Sequence, residues 1–179
     1  GTGIQYVAGN ATVEAGAKAF YGTDDTAAIQ QAVDALHPGA GVVYIPAGGC
    51  MVLGSIYCQR SRVTSSLGLL WRRLEFRGVG PTAQGPLSGA ANQGDSILFK
   101  PNAGAILVVN KDASGAGMTS TGATPTHQFY NFNTRNIAFH GMPGVATLGM
   151  DLHRTRALLE DCTFNNLAVG WDAMSADVN

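Results

Sequence analysis

The sequence predicts an all-β fold, a parallel β-helix whose first coil is covered by one α-helix. Three observations carry this reading. Charged residues make up 13% of the 179 residues, about half the usual share of roughly 25%, and 24 residues are glycine, which suits a turn-rich β-protein better than a helical bundle. One amphipathic helix stands directly before a strand-rich body. Short strand patterns then recur at a period typical of solenoids.

The helix is expected over residues 25–36. Asp24 and Asp25 are placed to accept hydrogen bonds from the first turn and to favour the positive end of the dipole. Ala28, Ile29, Ala32, Val33 and Leu36 fall at 3.6-residue spacing and form an apolar stripe, with Gln30, Gln31 and Asp34 on the opposite face. His37, Pro38 and Gly39 end it. Residues 42–46 then read as a β-branched and aromatic strand stopped by Pro46.

Beyond Gly48 the pattern changes to alternating runs that align with one another. Leu74-Glu75-Phe76-Arg77-Gly78 matches Ile137-Ala138-Phe139-His140-Gly141, which matches Cys162-Thr163-Phe164-Asn165-Asn166, the last two 25 residues apart; Val43 to Ala47 fits the same frame. Side chains alternate faces along a strand, so Ile45, Phe76, Phe139 and Phe164 are expected in one inward stack, and Leu74, Ile137 and Cys162 in another. A second strand family pairs Leu148-Gly149-Met150-Asp151-Leu152 with Val169-Gly170-Trp171-Asp172-Ala173. Residues 105–110 supply its earlier copy, and residues 96–100 a further strand of that coil. The Gly-, Ser-, Thr- and Pro-rich stretches 81–94 and 111–126 read as loops projecting from the coils. Parallel strands stacked in one direction make a β-helix, and its first coil exposes strand edges and core that an amphipathic helix would cover.

Several functional classes lack support. The formal net charge of −1 gives no footprint for nucleic acid, and the cluster of Arg72, Arg73 and Arg77 reads as a solvated strand face. No apolar run approaches the ~20 residues of a membrane span, and no signal peptide is visible. Cys50, Cys58 and Cys162 make no disulfide framework and read as small buried hydrophobes; they share no metal-ligand spacing with His37, His127, His140 and His153. Asn10-Ala11-Thr12 is a glycosylation sequon of a kind common by chance.

The stretch Gly22-Thr23-Asp24-Asp25-Thr26-Ala27-Ala28-Ile29-Gln30 resembles the start of pectate-lyase-like right-handed β-helix domains. Val43-Tyr44-Ile45-Pro46, Leu74 to Gly78 and Leu159 to Asn166 agree with it, so the resemblance spans about residues 15–172. It implies a right-handed parallel β-helix over residues 21–179, with residues 1–20 as an N-terminal extension. It also implies a carbohydrate-binding or carbohydrate-degrading protein of the phage tailspike or polysaccharide depolymerase type. The partners would be a polysaccharide or surface glycan and other phage tail proteins, and the setting extracellular or virion. A homotrimer follows partly from the same likeness, partly from the low charge and an uncapped last coil. Two departures stand out: the glycine-rich lead-in is shortened to Ala19-Phe20-Tyr21-Gly22, and the chain stops at Asn179 just after a strand, where further coils are expected. The segment is expected to be inactive alone even if the full-length protein is a lyase or hydrolase. The alternative is a non-catalytic structural or receptor-binding β-helix of a phage tail or secreted assembly.

The fold transfers no catalytic residue, so candidates come from the chain itself. Asp151 and Asp172 occupy matching positions in successive coils, on the face opposite Met150 and Trp171. One strand separation of ~4.8 Å places such carboxylates near the 5–5.5 Å used by retaining glycosidases. His153 projects to the same side and is a candidate for binding a sugar hydroxyl. Stacked aspartates equally suit a solvated outer face, which is the plainer reading. Glu160 is a weaker candidate, Asp161 belongs in a turn, and Tyr44 is the outward aromatic platform. Trp171 and Phe164 fall inward and read as core. No cofactor or metal is expected; Asp151, Asp161 and Asp172 are possible Ca²⁺ ligands, but their spacing does not demand it.

Overall fold

The structure, a computed structural model, describes residues 22–36, 40–58, 73–80, 95–109, 131–153, 155–174 and 177–178. The expectations for the N-terminal extension, the sequon, Arg72, His37, His127 and the two projecting loops lie outside these residues. One helix, α1 (Thr26–Ala35), precedes the strands. The first coil holds β1 (Gly41–Tyr44), β2 (Gly48–Met51) and β3 (Ile56–Cys58). The second holds β4 (Leu74–Arg77), β5 (Ser96–Lys100) and β6 (Gly104–Val109). The third holds β7 (Phe132–Arg135), β8 (Ala138–Gly141) and β9 (Thr147–His153). In the fourth are β10 (Arg156–Glu160), β11 (Thr163–Asn165) and β12 (Val169–Met174), followed by β13 (Asp177–Val178).

Each strand from β1 to β10 pairs in parallel with the strand three places later. Sheet one is β1-β4-β7-β10-β13, sheet two β2-β5-β8-β11 and sheet three β3-β6-β9-β12. A chain that returns to each sheet once per coil is a parallel β-solenoid with three strands per coil. The core is built from columns of side chains, one residue per coil. Cys50, Leu98, Phe139 and Phe164 form one column, with the Phe139 and Phe164 rings stacked at 5.2 Å. Ile56, Leu107, Met150 and Trp171 form another, and Cys58, Val109, Leu152 and Ala173 a third. Across sheet two, Ile97, Phe99 and Ala138 form a second apolar cluster flanked by Met51 and Met142.

The register corrects the expected stacks. Phe139 and Phe164 are neighbours, but Phe76 lies in sheet one, between Val43 and Thr134. Leu74 pairs with Phe132, and Ile45 follows β1 at a corner, its N–H bonded to the Arg77 carbonyl at 2.9 Å. Alternation has the same period on every sheet, so a five-residue pattern carries no mark of which sheet it belongs to. The glycines add to the confusion. Gly78 and Gly141 look equivalent but stand at different corners: a Cβ on Gly78 would strike the Asn136 carbonyl oxygen, and one on Gly141 that of Asn166. One coil after Gly78, the same corner is turned by Asn136 with φ 56°, and then by Asp161 with φ 49°, residue types that tolerate the left-handed region. Asp161 thus occupies the turn expected of it.

In α1, Ile29 and Val33 are buried and join the core that β1 and β3 line. Burial of two such side chains contributes roughly 1.5–3 kcal/mol each. Ala28 and Ala32 are exposed, so the apolar stripe is narrower than expected. Gln30, placed by the sequence on the polar face, is buried: its amide donates to the Tyr57 carbonyl at 3.0 Å and accepts from the Tyr57 N–H at 2.8 Å. It completes the backbone bonding of β3, which among the described residues has no strand on that side.

The acidic pair meets the expected cap in part: Asp24 accepts from the first-turn N–H of Thr26, whereas Asp25 bonds elsewhere. Asp25 makes no side-chain bond to the helix; its Oδ2 accepts from the Met51 N–H at 3.2 Å. Asp24 Oδ1 accepts from the N–H groups of Thr26 at 3.0 Å and Leu53 at 3.1 Å. Those bonds and the Thr26 hydroxyl, the strongest of them, hold the Asp24 carboxyl below its ordinary range. The two acids clasp the helix start to the corner between β2 and β3, satisfying N–H groups that no strand pairs. Lys100 supports the same corner from beneath, donating to the carbonyls of Leu53 at 2.7 Å and Gly54 at 3.0 Å.

Candidate functional site

Alternation on sheet three sends Met150 and Leu152 into the core and Asp151 and His153 to the outer face. Asp151 is in register with Asp172 on β12, and Val108 and Tyr57 continue the column through β6 and β3. Asp151 is half-buried and Asp172 exposed, one strand separation apart at ~4.8 Å. His153, half-buried, lies two residues along the same strand, opposite Met174 in register. Asp161 stands at the corner between β10 and β11. Among the described residues no group of three His, Cys, Asp or Glu side chains is placed to hold a metal ion.

The other two candidates meet on sheet one. Tyr44, Arg77, Arg135 and Glu160 occupy one row across β1, β4, β7 and β10, all on the outer face. Tyr44 is 59% exposed, as expected of an outward residue. The neighbouring row is Val42, Glu75, Asn133 and Leu158. Glu75 faces outward yet only 1% of its side chain is exposed, because three guanidinium groups cover it. Arg77 Nη2 lies 2.7 Å from Glu75 Oε1, Arg73 Nη2 3.0 Å from Oε2, and Arg135 Nε 3.8 Å from Oε1. Arg135 Nη1 then reaches Glu160 Oε2 at 3.2 Å. With its amide oriented to satisfy both atoms, Asn133 Oδ1 accepts from Arg73 Nη2 at 3.2 Å. Arg73 and Arg77, which the sequence assigns to a solvated face, therefore belong to an ordered ion network.

The five candidate residues thus fall into two groups on different sheets: Asp151, Asp172 and His153 on sheet three, Tyr44 and Glu160 on sheet one. Glu75 and Arg135 are the residues that the sequence reading missed, and Arg77 is one it placed on a solvated face. Their signal was present in Leu74-Glu75-Phe76-Arg77 and Phe132-Asn133-Thr134-Arg135, which share an outward arginine at the same place once the coil frame is right.

The aromatic residues expected in the core divide as well. Phe164 is half-buried against the core, while Trp171 is 46% exposed. Trp171 has the inward register above Met150 and its ring lies 5.5 Å from that of Phe164, but β12 is the outermost strand of sheet three among the described residues. Of the cysteines, Cys58 is buried, and Cys50 and Cys162 are half-buried. On the outer side of sheet two, His140 is buried with its Nε2 3.2 Å from Asn165 Nδ2. A comparison of this chain with protein-family models, curated proteins and solved structures finds no match.

Proposed function

We propose that this chain forms coils of a right-handed β-helix protein that acts on surface glycans, of the phage tailspike or polysaccharide depolymerase type, with α1 covering its first coil. In this reading the protein works outside the cell or on a virion. The observation that carries it is the register of Asp151 with Asp172 on the outer face of sheet three. Two carboxylates one strand apart suit a retaining glycosidase, in which one acid protonates the leaving oxygen while the other attacks the anomeric carbon. The first then deprotonates the water that releases the sugar. His153, on the same strand face, is assigned to a sugar hydroxyl.

A second reading, a binding module without catalysis, is favoured by the sheet-one row, whose exposed tyrosine and arginines need no chemistry to hold a ligand. Reducing-end release from a panel of bacterial surface polysaccharides separates the two. Under the catalytic reading Asp151→Asn and Asp172→Asn each fold normally and lose cleavage. A double Asn variant of the full-length protein cleaving at the wild-type rate eliminates the pair, and a full-length wild-type protein that binds a polysaccharide without cutting it selects the binding module.

A further inference from the structure

We propose that the outer face of sheet one is a binding surface for an anionic group carried on a polysaccharide, separate from the Asp151–Asp172 pair. The inference rests on the glycan reading above and adds where a second part of the polymer is held and what chemistry it bears.

The starting point is an anomaly of charge. Only 11 lysines and arginines occur in the whole chain, yet three arginines converge on one side chain of one sheet. Among the described residues three guanidinium groups face two carboxylates, Glu75 and Glu160, an excess of one positive charge. That excess is not spread evenly. Arg135 is shared between Glu75 and Glu160, which leaves the positive end at Arg73 and Arg77. Both are still half-exposed, at 51% and 48% of their side chains, although each is already bonded to Glu75.

Holding those groups in place is what Glu75 does. A guanidinium has five donors; Arg77 Nε donates to Glu75 Oε1 at 2.8 Å, with Nη2 in ion-pair contact with the same oxygen at 2.7 Å. The remaining donors keep a fixed direction, so a ligand would not have to order two long side chains on binding. A carboxylate, sulfate or phosphate ester offers the planar or multi-oxygen acceptor that such a fork matches.

Tyr44 supplies the other half of the surface. It is the neighbour of Arg77 in the row, and its exposed ring gives a flat apolar face beside the charge. Sugars present such a pairing, an apolar ring face with a charged substituent at its edge. From Tyr44 to Glu160 the row crosses three strand separations, ~14 Å along the solenoid. Glu160 at the far end accepts hydroxyl hydrogen bonds and repels a second anion. This pattern fits a polymer whose anions are spaced apart. It opposes nucleic acid, which brings a phosphate at every nucleotide to a chain of net charge −1.

The test measures binding of the full chain to immobilised hyaluronate, dextran sulfate, unmodified dextran and single-stranded DNA. Hyaluronate and dextran sulfate distinguish carboxylate from sulfate. The variants are Tyr44→Ala, which leaves the ion network untouched, and the paired Glu75→Gln/Arg77→Gln, which strands no buried charge. At least one anionic polysaccharide should bind more tightly than dextran, with affinity falling as salt rises. The paired variant should weaken it by about tenfold, the loss of one charge-assisted bond, and Tyr44→Ala by several-fold. Equal binding of dextran overturns the anionic selectivity and leaves the glycan reading intact. Unchanged affinity in both variants, or DNA held as tightly as dextran sulfate, overturns the site. Failure to bind any polysaccharide overturns the site and the glycan-binding reading together, while cleavage by the Asp151–Asp172 pair is judged by its own assay.

Discussion

Replacing Phe139 by alanine tests the column architecture most directly. Phe139 has no exposed surface, with Leu98 on one side in its column and Phe164 on the other. Phe→Ala changes at such sites cost about 3–5 kcal/mol, and here the value should fall in the upper half, since strands on both sides hold the cavity open. Phe164 is half-buried, so Phe164→Ala should cost less, roughly 1.5–3 kcal/mol. Their rings lie 5.2 Å apart and 10° from parallel, an arrangement worth about 0.5–1.5 kcal/mol beyond burial. A double-mutant cycle followed by urea denaturation and far-ultraviolet circular dichroism should return that coupling. The refuting result is a Phe139–Phe164 coupling within the ~0.5 kcal/mol seen for independent sites. A Phe76–Phe139 coupling equal to it would also refute the register, because it would restore the frame in which those two residues share a column.

Two further outcomes follow from burial. Loss of solvent pushes the pKa of His140 below its ordinary 6.5, with Asp95 opposing, so the unfolded chain takes up the proton first. Stability should be full above pH 6.5 and decline as the pH falls below it towards the folded pKa; His140→Gln should flatten that decline in urea titrations, and an unchanged slope counts against the assignment. Burial also pushes the Cys58 thiol far above its usual range, so labelling located by mass spectrometry should reach Cys58 only at the rate of unfolding. Native labelling of Cys58 as fast as Cys50 contradicts its place in the core.

Local pattern was enough for much of the solenoid. The strand at residues 96–100, the copy expected at 105–110 (present as Gly104–Val109, with residue 110 outside the described residues) and the match of Leu148–Leu152 with Val169–Ala173 all reappear, because each has a distinctive run of residues within one coil. The stretch Leu74 to Gly78 failed for a physical reason. In-out-in alternation ending in glycine describes sheet one and sheet two equally well, and only hydrogen bonds to the next coil tell them apart. The usable mark was the corner itself. Asn136 and Asp161 take the left-handed turn after sheet one, whereas after sheet two it is Asn166, at φ 52°. Aligning those three residues by corner rather than aligning Gly78 with Gly141 gives the observed register.

The site was legible in proportion to how many of its contacts stay within one repeat. Asp151 and Asp172 were paired from sequence because two consecutive coils carry the same motif, so the match of motifs is also the match of strands. Glu75 gave no such signal. Alternation turns it outward, and an outward glutamate is ordinarily solvated. Its burial depends on Arg135, which comes from the following coil, and on Arg73 and Arg77 flanking it within one strand. A buried carboxylate is tolerated only when paired and hydrogen-bonded, so the arginines and Glu75 must have settled their places together. The same reasoning separates the two candidate surfaces. The sheet-three carboxylates are adjacent because the backbone repeats. The sheet-one arginines are held where they are by a side chain that has no equivalent in the row's other coils, where Val42, Asn133 and Leu158 take its position.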